Sequence, residues 1–131
     1  VAVHARRCRR ARCLWHPAFA IEAALLAAFM VSAIAFTVVV EHPASPLAAA
    51  VTAPIARRGL IGLGMAATAV VLIYSTWGRR SGAHMNPAAT LALARLGLVP
   101  SSSIAGYVAA QFAGGALGVW IGLSLSVIVY A

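Results

Sequence analysis

Three stretches of this sequence carry no Asp, Glu, Lys or Arg: residues 23–40, 59–78 and 96–131. Each is long enough to cross a bilayer, whose ~30 Å hydrocarbon core takes about 20 apolar residues as helix. No water in that core can satisfy a free backbone, and a helix satisfies its own. The stretches therefore predict an all-α transmembrane protein with spans near 18–40, 59–78 and 102–127. Composition points the same way. Of 131 residues, 63% are apolar and 9% charged, where a soluble domain carries about 25% charged residues. A soluble globule, a disordered chain and a disulfide scaffold are all excluded.

The charges that remain set the orientation. Ten arginines against two acids leave a net charge of +8. Arg6, Arg7, Arg9, Arg10 and Arg12 precede the first span, and Arg79 and Arg80 follow the second. Cationic loops stay cytoplasmic. With the N-terminus inside, only Arg57 and Arg58 face out; the reverse would export the other eight. Residues 1–17 then form a basic cytoplasmic arm on a protein of the plasma or inner membrane. The first apolar run is too long for a secretory signal, and the arm lacks the serines of a transit peptide. No folded module presents these arginines to nucleic acid. His4, Cys8, Cys13 and His16 match no standard zinc spacing, so the cysteines read as reduced thiols, and no metal or cofactor is expected.

Trp15, His16 and Pro17 introduce the first span, the indole suiting the headgroup level and Pro the start of a helix. Glu22 lies inside that span. A carboxylate at that depth is costly, so it is expected to face the protein interior and accept hydrogen bonds, the alternative being a side chain that reaches back to the near interface about one turn away. Residues 41–54 hold Pro43, Pro46 and Pro54 and read as an outer loop. Ser101–Ser103 can cap the third span after Pro100. That span carries Gly106, Ala110, Gly114, Gly118 and Gly122 four apart, a face of small residues against which a neighbouring helix can pack closely.

Between the second and third spans lies a shorter apolar run, residues 87–94, covering only ~12 Å as helix at 1.5 Å per residue. It cannot cross. Its ends are nevertheless strongly marked: Asn86 is a preferred N-cap and Pro87 a preferred first residue. Arg95 suits the negative helix end and Gly97 the left-handed residue beyond it. This predicts a re-entrant half-helix over 87–95, reached by extended chain descending from Arg80 and turning at Asn86. The carbonyls of Gly82, Ala83, His84 and Met85 would then lie unsatisfied by any helix, which is tolerated at depth only inside protein or along water. The Asn86 amide and the positive helix end would offer donors to neutral solutes and repel cations. An interfacial helix lying on the cytoplasmic face would carry the same signals.

The run Ser81-Gly82-Ala83-His84-Met85-Asn86-Pro87-Ala88-Ala89-Thr90 resembles the first Asn-Pro-Ala loop of the aquaporin and aquaglyceroporin family, the major intrinsic proteins. Glu22 resembles the glutamate of that family's first helix, and Ala110-Gln111 with Gly114-Gly115 resembles the Ala-Gln-x-x-Gly pattern of its third, where Tyr107 also fits. The resemblance covers about residues 19–125. It implies that Asn86, Pro87 and Ala88 form the pore motif, with Asn86 orienting permeating molecules. It implies that Gly82, Ala83, His84 and Met85 line the pore, and that Glu22 and Gln111 buttress its loops. It also implies a homotetramer in the bilayer.

Family channels contain two inverted repeats, and the resemblance spans one, so a complementary C-terminal half is the expected partner. The position twenty residues before the motif asparagine, usually Phe or Trp in the family, is Ala66. A methyl there is the candidate selectivity filter and implies passage of solutes larger than water. The expected function is passive diffusion of water or small neutral solutes such as glycerol or urea, with this length alone incomplete; no enzyme chemistry is implied. One repeat of a secondary transporter and a non-conducting membrane fragment are the alternatives.

Overall fold

The structure, a computed structural model, describes the backbone of residues 2–130 and the side chains of residues 17–129. The side chains of His4, Cys8, Cys13, His16 and the arm's five arginines lie outside the described residues. Among the described residues the regular structure is all helical, and three helices are long and apolar enough to cross a membrane: Pro17–Glu41, Pro54–Tyr74 and Ser101–Val129.

Helix α1 runs from Ala2 to Glu41. The basic arm is thus helical backbone continuous with the span, and Pro17, expected at the helix start, lies inside it. Ala and Arg are strong helix formers, and one proline removes one backbone bond rather than the helix. The outer segment also holds more structure than its prolines suggested. Helix α2 (Pro46–Ala50) is capped by Ser45, whose hydroxyl accepts from the Leu47 N–H and donates to the Val39 carbonyl at 2.5 Å. Arg57 ties this corner together. Its guanidinium donates to the Ala48 and Val51 carbonyls at 2.5 and 2.6 Å and pairs with Glu41 at 3.2 Å.

Helix α3 spans Pro54–Tyr74, starting and ending several residues before the expected 59–78. Pro54 is not the end of the loop but the first helical residue, where a missing N–H leaves nothing unsatisfied. The other boundary comes from Ser75. Its backbone is extended, and its hydroxyl donates to the Leu72 carbonyl and accepts from the Gly78 N–H. That closes α3 and opens α4 (Thr76–Ser81) in one residue. A side chain on Gly78 would strike the Leu72 and Ile73 carbonyls across this break.

Arg79 and Arg80 therefore belong to a helix, not to an extended descent. Helix α5 covers Pro87–Arg95. It ends on Gly97 (φ 74°), with Gly97 N–H donating to Ala94 and Leu98 N–H to Leu93, the bond pair of a Schellman stop. Ser101–Ser103 form a 3₁₀ turn with no side-chain cap, running into α6 (Ile104–Tyr130).

Packing is led by α1 against α6. Gly114 and Gly118 sit where any Cβ would strike the Ala23 and Ala27 backbone, and Gly106 and Gly122 press on Phe19 and Ile34. Helix α3 lies on the other side of α1, with Gly64 against the Phe36 ring, and has no buried residue of its own. The small apolar core of Ala18, Val99 and Tyr107 takes in Phe19, Leu93 and Ala94, fixing the returning end of α5 to the bases of α1 and α6.

Candidate functional site

Among the described residues, the three largest fully buried side chains are all polar: Glu22, Thr90 and Gln111. They come from α1, α5 and α6 and meet beneath the loop that joins α4 to α5. A buried carboxyl group is tolerated only when its lone pairs are met by donors. Here four donors converge. Glu22 Oε1 accepts from the Ser81 hydroxyl at 2.8 Å and the His84 N–H at 2.9 Å. Oε2 accepts from the Met85 N–H at 2.8 Å and Gln111 Nε2 at 3.1 Å.

Those contacts explain the loop's backbone. Gly82, Ala83 and Met85 have φ of 97°, 47° and 45°. The left-handed region costs a residue with a side chain roughly 1–2 kcal/mol, so Ala83 and Met85 would not adopt it unaided. Left-handed turns turn successive N–H groups toward one concave side, making an anion-binding nest. Glu22 supplies the anion, and a hydrogen bond to a charged group contributes about 1.5–3 kcal/mol. Two such bonds, from His84 and Met85, offset the strain. Ser81 braces the start of the loop, its Oγ accepting from the Ala83 N–H and its carbonyl from the Tyr107 hydroxyl at 2.9 Å. The sequence drew attention to this loop's carbonyls; the structure ties down its N–H groups.

The loop delivers the chain to Asn86 in extended conformation (φ −157°, ψ 127°), and Asn86 Oδ1 caps α5 by accepting from the Ala88 N–H at 2.9 Å. That leaves the amide nitrogen, Nδ2, as a donor with no partner among the described residues. Asn86 and Ala88 are exposed, as is Gly82, while Pro87, Ala83, His84 and Met85 are half-buried. The His84 ring stacks on Tyr107 (centroids 4.7 Å apart, planes 28°), and Phe19 meets Tyr107 edge-on. Ala66 stands on an exposed face of α3.

Glu22, Gln111, Gly82, Ala83, His84, Met85 and Asn86 are thus brought into one site. Gly106, Gly114, Gly118 and Gly122 serve the α1–α6 contact behind it. Three contributors, Ser81, Thr90 and Tyr107, had no role assigned from sequence. Ser81 gave no signal, as a serine beside two arginines. Thr90 did: it is the one polar residue in the apolar run 87–94, four residues after the cap and so on the same helix face.

The family model for major intrinsic proteins matches residues 15–129. A protein of Archaeoglobus fulgidus described as a probable aquaporin, AqpM, is 48% identical over 58 residues, covering 44% of this chain and 23% of that protein. Aquaporin NIP1-3 of Oryza sativa subsp. japonica is 51% identical over 47 residues, covering 36% of this chain and 16% of that protein. The aligned segments thus span under a quarter of either relative's length. No solved structure matches the chain significantly. A match across nearly the whole sequence, on a helical scaffold with three membrane-length helices, shows that this chain belongs to the major intrinsic protein family.

Proposed function

We propose that residues 1–131 form one wall of a passive pathway for water or small neutral solutes such as glycerol or urea. In this reading α5 enters the membrane from the cytoplasmic side and returns, with the N-terminus inside as the arginine bias favours. A complementary C-terminal half supplies the opposite wall, and the family resemblance points to a homotetramer. The activity is diffusion, not catalysis.

The observation that carries this is the disposition of Asn86. Its Oδ1 is engaged by the helix cap at 2.9 Å, so Nδ2 is held outward as a donor at the exposed end of α5. The helix terminus adds roughly +0.5 elementary charge at the same point. A neutral solute finds a hydrogen bond there, whereas a cation finds a repulsive field.

The test joins residues 1–131 to the C-terminal part of the archaeal relative and reconstitutes the product in vesicles. Glycerol or water flux should rise linearly with the gradient and need no ion. Saturating, ion-coupled flux would replace the channel reading with a transporter. Asn86→Asp keeps the cap, because Asp also caps helices, but puts a carboxylate where the donor was. Cation leak should then rise; cation exclusion unchanged in a folded variant would remove Asn86 from this role.

A further inference from the structure

The sequence holds ten arginines and only two acids, Glu22 and Glu41, and both acids are already engaged. Glu22 is buried, with each carboxylate oxygen accepting two hydrogen bonds. Glu41 lies at the opposite end of α1, paired with Arg57 at 3.2 Å. The end of the molecule where the α1 span begins therefore has no free carboxylate for its arginines. Three of these are exposed and have no ion-pair partner among the described residues: Arg79 and Arg80 in the last turn of α4, and Arg95 in the last turn of α5. They bracket the start of that span. Arg80 precedes Ser81, which bonds Glu22, and Arg95 follows Ala94, which packs on the cluster holding Ala18. Arg6, Arg7, Arg9, Arg10 and Arg12 lie in the helical backbone that leads into the same span. At 1.5 Å per residue they stand about 8–16 Å before Pro17 along the helix.

We propose that these eight arginines form a binding surface for anionic phospholipids, whose headgroup phosphates supply the counter-charge that the chain itself lacks. The distances suit a membrane surface. The headgroup layer extends about 5–7 Å beyond the hydrocarbon on each side, and charges remain felt for about 10 Å further at 0.1 M salt. The whole arm thus lies within reach of the headgroups, and clusters of four to eight basic residues beside a span are drawn to anionic lipid in proportion to their number. The neighbouring side chains favour lipid over other polyanions. Trp77, Leu96 and Leu98 are all more than half exposed, next in sequence to the unpaired arginines. An indole settles at headgroup level, and a guanidinium binds a phosphate through paired hydrogen bonds. A nucleic acid would meet the same charges but leave these apolar side chains in water.

The cytoplasmic placement of this surface rests on the orientation proposed above, but the lipid preference is measurable without it and without any flux. The experiment reconstitutes the full chain in phosphatidylcholine vesicles and reads tryptophan quenching by brominated phosphatidylglycerol against brominated phosphatidylcholine, each present in both leaflets. Trp15→Phe with Trp120→Phe leaves Trp77 as the reporter at the arginines. Trp15→Phe with Trp77→Phe leaves Trp120, about 24 Å further along α6 from its start. Trp77 should prefer the anionic lipid about fivefold or more at low salt. The preference should approach unity at about 1 M salt, where the screening length falls to about 3 Å, and Trp120 should show none. Replacing all eight arginines by Gln should abolish it, whereas Arg58→Gln, beyond the opposite end of α1, should leave it intact. Equal quenching of Trp77 by the two lipids would overturn the proposal, as would a preference that survives high salt or the loss of all eight charges. The wild-type salt response decides even if the eightfold variant fails to insert. An RNA oligonucleotide retained by the chain in phosphatidylcholine, with no lipid preference, would assign the arginines to nucleic acid instead. Absence of solute flux in the completed channel, with the lipid preference as stated, would defeat the pathway reading and leave this one standing.

Discussion

At the residue scale, the site turns on a carboxyl group whose two oxygens act only as acceptors. Glu22 is buried in the α1–α6 interior, and its four partners come from three separate segments. Glu22→Gln keeps the shape but turns one oxygen into a donor facing donors. At about 1.5–3 kcal/mol for each charge-assisted bond lost, the variant should lose about 3 kcal/mol or more of stability. Reversible unfolding in mixed micelles, followed by circular dichroism, measures it; a loss below about 1 kcal/mol would mean the loop is held by other contacts. A second expectation concerns Ala66, exposed on α3. If it bounds the constriction in the completed channel, Ala66→Phe should cut glycerol flux several-fold and water flux much less. Equal loss of both would indicate misfolding, because a narrower opening discriminates by size.

At the scale of elements, the glycines of α6 and α3 look alike in sequence but behave differently. Gly118 faces Ala27 of α1 so closely that a Cβ would lie 2.5 Å from its carbonyl oxygen and 2.7 Å from its Cα. Backbone atoms cannot swing aside as a side chain can, so Gly118→Val must push α1 and α6 apart. Overpacking of this kind costs roughly 1–3 kcal/mol, and separating the helices also opens the Glu22 cluster between them. Gly62 on α3 has no atom within 4 Å of its would-be Cβ, and Ala is favoured over Gly in a helix by about 1 kcal/mol. Gly62→Ala should therefore be neutral or stabilising in the same unfolding experiment. A destabilising Gly62→Ala would show that α3 packs against something in the micelle, such as a second copy. Gly64 is intermediate, because what it meets is the Phe36 ring.

For the whole molecule, the largest fully buried side chains are polar and most large apolar ones face outward, beside a small apolar core at the base of the helices. Lipid provides no hydrophobic incentive to bury Leu or Val, while unpaired polar groups facing hydrocarbon cost several kcal/mol each. Polar residues therefore gather inward and Ile55, Leu63, Val71 and Trp120 stay more than two-thirds exposed. The same exposure governs what residues 1–131 do by themselves. Asn86 and Ala88 at the tip of α5 are uncovered, and a tip facing lipid is costly. A second copy inserted with the same orientation cannot meet it tip to tip, and the arginine bias disfavours the opposite insertion. Vesicles carrying only residues 1–131 should shrink osmotically no faster than lipid alone. Faster shrinkage, lost on changing Asn86, would establish that the chain conducts without a second half.

Much of this was decided within the sequence, because it is local. Three charge-free stretches suffice for three membrane-length helices, since each satisfies its backbone by itself. Asn86-Pro87 and Gly97 carry the chemistry that starts and stops α5 within a few residues. Helix ends set by side-chain bonds at a junction were less legible: nothing in Tyr74-Ser75-Thr76 announces that one hydroxyl closes α3 and opens α4. What only the tertiary structure decided is the shape of residues 82–85. Ala83 and Met85 have no intrinsic preference for positive φ, and no local pattern points to it. They adopt it because a carboxylate some 60 residues earlier draws the His84 and Met85 N–H groups to itself. The meeting of Glu22, Thr90 and Gln111 has the same origin. It depends on three helices packing closely enough, over glycines, for one carboxyl group to reach them all.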